Sequence, residues 1–296
     1  MSKRVLLTFA DNGLRANLQR LERQAVEMDV FDRVFIRTED DLSANFRREF
    51  KDKLVTGTRG YGYWSWKPQI ILQTFDEMDE GDALLYLDAG CHLNAHGRKR
   101  MQDYFERVNA ASSGILAFQA IPPGGPLLRD EVKFNKLMEA VWTKGDLIDH
   151  FGVRDNEDVL NTPSIASGAI FFRKCPASVA LVSKWRSVFS QDFSLVDDTP
   201  SRSPNYPDFI EHRHDQACFS ILCKLAEVDR ISVYETWYPK PASSEDGSDG
   251  VDWEALRDYP IHAKRDKPRS RMSRRRISIR KRLSALSGYL TNSSNR

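Results

Sequence analysis

Two periodicities run through the chain. Short apolar runs of strand length lie at Arg4 to Phe9, Val34 to Arg37, Ala83 to Leu87, Gly114 to Gln119 and Ile165 to Phe172. A further edge or cleft element is expected at Val233 to Trp237. Between them, apolar residues recur at helical spacing: Leu14, Leu18, Leu21 and Ala25; then Ile70, Ile71, Phe75 and Met78 behind Pro68; then Arg98 to Val108, Ser178 to Phe189 and Arg213 to Leu225. From Phe134 to Phe151 the helical pattern is interrupted at WTKGDL, which predicts two helices or one with a break. Strands alternating with helices predict an α/β fold, a mostly parallel central sheet flanked by helices, in a single catalytic domain over residues 1–264.

Glycine, proline and serine punctuate this pattern. ADNG after the first strand, IPPGGP at Ile121 to Pro126, the segment Asp197 to Pro207 and PKPASSEDGSDG read as turns or loops. With 41% hydrophobic and 29% charged residues the chain has the balance of a folded protein, and no stretch reaches the roughly 18 apolar residues of a membrane span. The first apolar run is too short for a signal peptide and is expected to be a buried strand. Four cysteines, Cys91, Cys175, Cys218 and Cys223, form no CxxC pair, which suits reduced thiols in the cytoplasm and implies no structural zinc.

The net charge of +2 conceals an asymmetry. Lys264 to Arg282 holds eleven Lys or Arg and one Asp, leaving 33 basic against 41 acidic residues elsewhere. Residues 265–296 are therefore expected to form a basic tail, an amphipathic helix or a disordered segment, suited to an anionic membrane surface. A nucleic-acid or membrane module driven by this tail is one competing function; it predicts that deleting the tail abolishes activity and that Asp88→Ala is neutral.

The chemistry concentrates elsewhere. The run ALLYL ends at Asp88, and a carboxylate at the carboxyl end of a buried strand is where α/β sheets place ligands. Ahead of it, Tyr61, Tyr63, Trp64 and Trp66 crowd into GYGYWSWKP, as an aromatic corner of the core or as a substrate wall, with Lys67 beside it to meet a phosphate. Ser167 and Gly168 in IASGAIFF mark a tight strand entry or a close approach to a ligand. Asp215 in HRHDQ is either a helix cap or a cleft carboxylate beside His212 and His214. His262 with Lys264 is either a metal ligand beside a phosphate-binding cation or the start of the tail. No G-x-G-x-x-G follows the first strand, no Walker A sequence occurs and no H-E-x-x-H is present, which argues against nicotinamide or flavin enzymes, P-loop kinases and zincins. A nucleotide-sugar pyrophosphorylase lacks its glycine-rich signature as well.

Taken together, GYGYWSWKP, LLYLDAGC, SGAIFF and HRHDQ resemble the nucleotide-sugar glycosyltransferases of the GT-A class, in particular the bacterial enzymes of capsule, lipopolysaccharide and exopolysaccharide assembly. The resemblance spans roughly residues 3–264. It implies the GT-A, Rossmann-like sheet and a UDP-linked donor whose hexosyl group passes to a glycan or lipid-linked acceptor, with retention of configuration favoured. It implies Mn²⁺ or Mg²⁺ at Asp88; because Gly90 stands where a second carboxylate is usual, either His262 is a distant second ligand or the site is metal-light, with Lys67, Lys264 and arginines neutralising the phosphate. It also implies that Phe9, Ala10 and Asp11 receive the base and ribose, and that Ser167 and Gly168 lie by the sugar. Lys67 and Lys264 would lie by the phosphates, and Asp215 would be a catalytic carboxylate. No nucleic-acid partner is expected.

Overall fold

A computed structural model describes residues 2–134, 137–241 and 250–265. All but the first residue of the basic tail lies outside these, as does most of PKPASSEDGSDG. In chain order the elements are β1 (Arg4–Phe9), α1 (Arg15–Met28), β2 (Arg33–Arg37), α2 (Ala44–Glu49), the single turn α3 (Gly60–Tyr63), α4 (Trp66–Asp76) and β3 (Ala83–Leu87). Then follow β4 (His92–Leu93), α5 (Arg98–Ala110), β5 (Ile115–Gln119), α6 (Glu139–Trp142), α7 (Gly145–His150), α8 (Glu157–Leu160) and β6 (Ile165–Arg173). The last are α9 (Pro176–Gln191), α10 (His214–Leu225), β7 (Asp229–Ser232) and β8 (Ile261–His262).

Six strands form one sheet in the order β2-β1-β3-β6-β5-β7. All neighbours run parallel except those of β6, which lies antiparallel to both β3 and β5. The fold is thus α/β with a mostly parallel central sheet, as the alternating pattern predicted. Period-two alternation sorts the strand side chains. Val5, Leu7, Leu84, Tyr86, Ile170 and Phe172 pack in one core with residues of α4, α9 and α10. Leu6, Leu85, Leu116, Phe118 and Phe171 pack in a second with α1 and α5. A helix layer therefore covers each face.

Both sheet edges are guarded. Arg33 and Arg37 on β2 lie over the Phe35 ring at 4.5 and 4.6 Å, so the edge carries charge where it would otherwise offer an apolar strand. At the other edge the strand is Asp229–Ser232 rather than Val233–Trp237. Its sequence, DRIS, is polar, as suits an edge: among the described residues β7 pairs with β5 alone, and Asp229 holds Arg107 at 2.8 Å. Val233–Glu235 is instead a 3-10 turn, whose Glu235 accepts hydrogen bonds from Arg100 and Tyr104.

The break at WTKGDL has a structural cause. Lys144 donates to the carbonyls of Ser194, Asp197 and Thr199, while the Asp146 carboxylate accepts from the backbone of Arg202 and Ser203. The gap between α6 and α7 is the peg to which the long loop before α10 is tied.

Candidate active site

At the carboxyl end of β3, Tyr86 and Asp88 fall on the same sheet face because they are two residues apart. The Tyr86 hydroxyl donates to Asp88 Oδ1 at 2.7 Å. From the start of α4, Lys67 reaches the same point: its ammonium lies 3.4 Å from Asp88 Oδ1 and 2.8 Å from Asp215 Oδ2. It also donates to the Ser167 hydroxyl and carbonyl, both at 3.2 Å. Ser167 in turn donates to Asp215 Oδ2 at 2.8 Å. Five of the residues singled out in the sequence, Lys67, Asp88, Ser167, Gly168 and Asp215, therefore lie together although 148 positions separate the first from the last.

An irregularity in β6 makes this possible. Its register against β5 jumps from Ile170↔Ala117 to Ala166↔Phe118, so the intervening Ser167, Gly168 and Ala169 bow out of the ladder on that side. The bow turns Ser167 toward Lys67 and lets the Gly168 carbonyl accept from Asp88 N–H at 2.8 Å. A Cβ on Gly168 would sit 3.0 Å from Asp88 Oδ2, so the glycine is what leaves room for the carboxylate.

Lys67 is 1% exposed. Burial pulls its ammonium toward the neutral form, but Asp215 and Asp88 outweigh it and hold the pKa above the usual lysine value. Burial pushes the Asp88 carboxyl up, against the pull of Lys67 and the Tyr86 hydroxyl. Because 37% of that side chain still meets solvent, water screens part of the push. Burial and then Asp88 raise the Tyr86 phenol well above its ordinary value, so it stays a donor. One cation between two carboxylates leaves the cluster with one negative charge, presented at Asp88 Oδ2, which carries no hydrogen bond among the described residues.

The surroundings of the other expected site residues are as follows. Lys67 is 1% exposed and directs its ammonium to Asp215, Asp88 and Ser167. Asp215 is neither a helix cap, Arg213 holding that position, nor an open carboxylate; at 4% exposure its Oδ2 is filled by Lys67 and Ser167. Phe9 and Ala10 are each 2% exposed, and the Phe9 ring is stacked on Trp66 at 4.0 Å. Asp11 is only half-buried, next to Tyr61. His262 bonds to the Leu256 carbonyl and lies 5.3 Å from the Trp253 ring, with Lys264 over the same indole; neither is among the partners of Asp88. Its pairing with His92 across β4 and β8 belongs to a separate two-stranded sheet. Among the described residues no three His, Cys, Asp or Glu side chains converge as ligands of an ion.

Two participants escaped the sequence reading. Tyr86 looked like one more apolar position of ALLYL. Arg20, one of several charges on α1, donates to the Ala89 and Cys91 carbonyls at 2.8 and 2.7 Å and so fixes the turn that follows Asp88.

In the aromatic segment Trp66 is buried, while Tyr61, Tyr63 and Trp64 are half-buried. Gly60, Tyr61, Gly62, Tyr63 and Trp64 all have positive φ, a left-handed turn of five residues. The Trp66 indole donates to the Gly60 carbonyl, Trp64 stacks on His214, and the Tyr63 hydroxyl donates to Asp198. The segment packs Trp66 into the core and delivers Lys67 to its place.

No protein-family model matches the chain, and no curated protein does. Solved structures similar to it include a glycosyltransferase involved in the glycosylation of the major capsid of PBCV-1, 11% identical over 88% of this chain and 93% of that one, with a TM-score of 0.43. Mouse xyloside xylosyltransferase 1 is 10% identical over 80% and 87%, TM-score 0.41. The galactosyltransferase LgtC, solved with donor and acceptor sugar analogs, is 12% identical over 90% of each chain, TM-score 0.42. Likenesses this distant carry no weight for the chemistry.

Proposed function

We propose that the protein is a glycosyltransferase that moves a hexosyl group from a nucleotide diphosphate sugar, UDP-linked in the simplest case, to a hydroxyl of a glycan or glycolipid. The observation that carries this reading is Asp88, a carboxylate at the carboxyl end of a central strand, braced by Tyr86 and Lys67 with one oxygen left open. The carboxyl ends of parallel strands are where open sheets bind nucleotides. The resemblance carried by GYGYWSWKP, LLYLDAGC, SGAIFF and HRHDQ supplies the reaction class.

In the transfer, the bond between the anomeric carbon and the phosphate oxygen breaks and a bond to the acceptor oxygen forms. The acceptor proton passes to the departing nucleoside diphosphate in the retaining course. That course suits a cleft whose second acid, Asp215, is already occupied by Lys67 and Ser167. Asp88 Oδ2 would offer a hard divalent ion, Mn²⁺ or Mg²⁺, a single protein oxygen, and Asp88 is the residue that would hold it. Such an ion, when bound, stabilises charge developing on the diphosphate. Lys67 keeps the two carboxylates together, Gly168 keeps Asp88 unobstructed and Arg20 holds the turn behind it. Polysaccharide assembly and a place on the inner face of the membrane, with the basic tail as contact, extend the same proposal. Among the described residues, no helix is long and apolar enough to cross a membrane.

The test is hydrolysis and binding of a panel of UDP, GDP and CMP sugars with and without Mn²⁺. Turnover that Asp88→Ala eliminates and that survives tail deletion is expected. A folded protein that neither binds nor cleaves any donor refutes the reading.

A further inference from the structure

We propose that the acceptor binds at a charged rim formed by Arg59, Asp198, Glu211 and Arg213 beside His214, and that the group it presents there is a neutral sugar held through its hydroxyls. The inference rests on the glycosyltransferase reading and adds to it the substrate class of the acceptor.

Two arms of the chain make the rim, and both run directly into the Lys67–Asp215 pair. Arg59 and Tyr63 belong to the left-handed turn that leads to Lys67, and Arg213 and His214 precede Asp215 at the start of α10. Four residues of chain, Tyr63 to Lys67, span at most about 14 Å, and two, Arg213 to Asp215, about 7 Å, so the rim adjoins the cluster that braces Asp88. Asp198 Oδ1 accepts from Arg59 at 3.3 Å, and Oδ2 from the Tyr63 hydroxyl at 3.0 Å. Glu211 lies 3.8 Å from Arg59 and 3.0 Å from Arg213.

These four charged side chains are exposed, and ion pairs of that kind add little to stability. The scaffold that presents them is nevertheless firm. On either side of Glu211 the amides of Ile210 and Arg213 donate to the Val141 and Trp142 carbonyls at 2.9 and 3.0 Å, and Lys144 pegs the carbonyls of Asp197 and Thr199 on either side of Asp198. The backbone is also strained here, with Tyr61, Tyr63, Trp64 and His214 all at positive φ. Strain in non-glycine residues gathers where a ligand is held.

His214 gives an independent sign. Its ring is 2% exposed, and Nδ1 lies 2.7 Å from the Val196 carbonyl, which can only accept, so Nδ1 carries the hydrogen. Burial lowers its pKa and keeps the ring neutral near pH 7. Nε2 is then an acceptor. It has no hydrogen-bond partner among the described residues and faces Asp198 Oδ1, a second acceptor, at 3.7 Å. Two acceptors turned toward each other favour a ligand that brings hydrogens. A hydroxyl does so: it donates to the carboxylate while its oxygen accepts from the guanidinium. Charge then narrows the class. Arg59 and Arg213 balance Asp198 and Glu211, so the rim has no excess positive charge for a phosphate or a uronic acid, and an uncharged sugar fits it.

The experiment probes the full chain, with and without UDP, on an array of glycans that end in neutral hexoses, uronic or sialic acids, or amino sugars. Retention on neutral ends is expected. Asp198→Asn and Arg59→Gln should each weaken it on the order of 10-fold or more, the loss of hydrogen bonds to a charged group. Lys53→Ala removes another exposed pair of the same loop, with Asp197, and should leave retention within about twofold. Asp198→Asn takes a charge away from the lone pair of His214, so its urea midpoint should not fall. Retention chiefly of charged ends, retention that both rim variants leave intact, an equal loss in Lys53→Ala, a lower midpoint in Asp198→Asn, or no glycan retained by a chain that cleaves nucleotide sugars each overturns the inference and leaves the transferase reading in place. A folded chain that neither binds nor cleaves UDP, GDP or CMP sugars removes that reading and this inference with it.

Discussion

A lysine at 1% exposure is held in the ionised form only by its partners. Desolvating an ammonium costs several kcal/mol, which Asp215 at 2.8 Å and Asp88 at 3.4 Å offset. Lys67→Met should therefore destabilise the protein by about 3–5 kcal/mol, because it strands Asp215 as an unpaired buried charge. The companion double variant, Lys67→Met with Asp215→Leu, should recover much of that loss, since a buried ion pair exchanged for apolar residues is often neutral. Urea unfolding of the three proteins measures both steps, and a double variant no more stable than the single one would contradict the pairing. Gly168 tests the same cluster from the opposite side. Its φ is not in the left-handed region, so alanine meets no backbone objection there, but the new Cβ would stand 3.0 Å from Asp88 Oδ2. Gly168→Ala should leave the melting temperature nearly unchanged while lowering kcat/KM for donor cleavage on the order of 10–100-fold, the usual consequence of displacing a reacting group by a fraction of an ångström to one ångström.

At the scale of elements, the left-handed turn before α4 is the costliest piece of backbone. Left-handed helical φ values cost roughly 1–2 kcal/mol per non-glycine residue, and Tyr61, Tyr63 and Trp64 all carry them. The contacts of Trp66 with Phe9 and Gly60, and of Trp64 with His214, offset this. Two glycines separate the backbone effect from the packing effect. Gly57 has φ 91° and a Cβ added there would meet nothing within 4 Å, whereas a Cβ on Gly60, at φ 59°, would stand 2.3 Å from the Trp64 indole. Gly57→Ala should cost about 1 kcal/mol, and Gly60→Ala clearly more, read as the difference in urea midpoints. Equal costs would mean that Trp64 yields freely. This turn also shows where sequence reading stops. Strands and long helices were legible because their apolar periods are local properties: β1, β3, α9 and α10 lie within a few residues of their expected bounds. GYGYWSWKP was recognised as important, but five left-handed residues in succession depend on tertiary contacts that no local propensity encodes. The bow in β6 left only the small residues of SGA as its trace, and β7 hid its strand character behind Asp229 and Arg230. Lys67, Asp88 and Asp215 each stand out on local grounds; that the lysine lies between the two acids follows only from their convergence in the fold.

Across the whole molecule, the titrating groups set how the fold responds to acid. Burial, then His214 and Lys144, hold the His212 imidazole well below its ordinary value, and burial lowers His150, His214 and His262 as well. These rings stay neutral in the folded state at pH values where the unfolded chain has begun to take up protons. Between the lowered folded values and about 6.5, the unfolded state therefore binds more protons, and stability falls as the pH is reduced through that window. Depressed carboxyl groups act later and in the same direction. Asp146 is held down by backbone donors of Arg202 and Ser203 against burial, and Asp197 by Thr199 and Lys53 against burial, so both resist protonation that the unfolded chain accepts below about pH 4. Acid unfolding should consequently begin between about pH 6.5 and 5, before most carboxylates titrate. His212 dominates the early phase because it is the most deeply lowered and its neighbourhood, Lys144 and the loop tied to it, is the joint between α6, α7 and α10. In His212→Asn, where a neutral side chain of similar polarity replaces the ring, the loss of stability between about pH 7.5 and 5.5 should shrink. The measurement is unfolding free energy against pH for both proteins, and parallel curves would show that His212 does not couple the fold to acid.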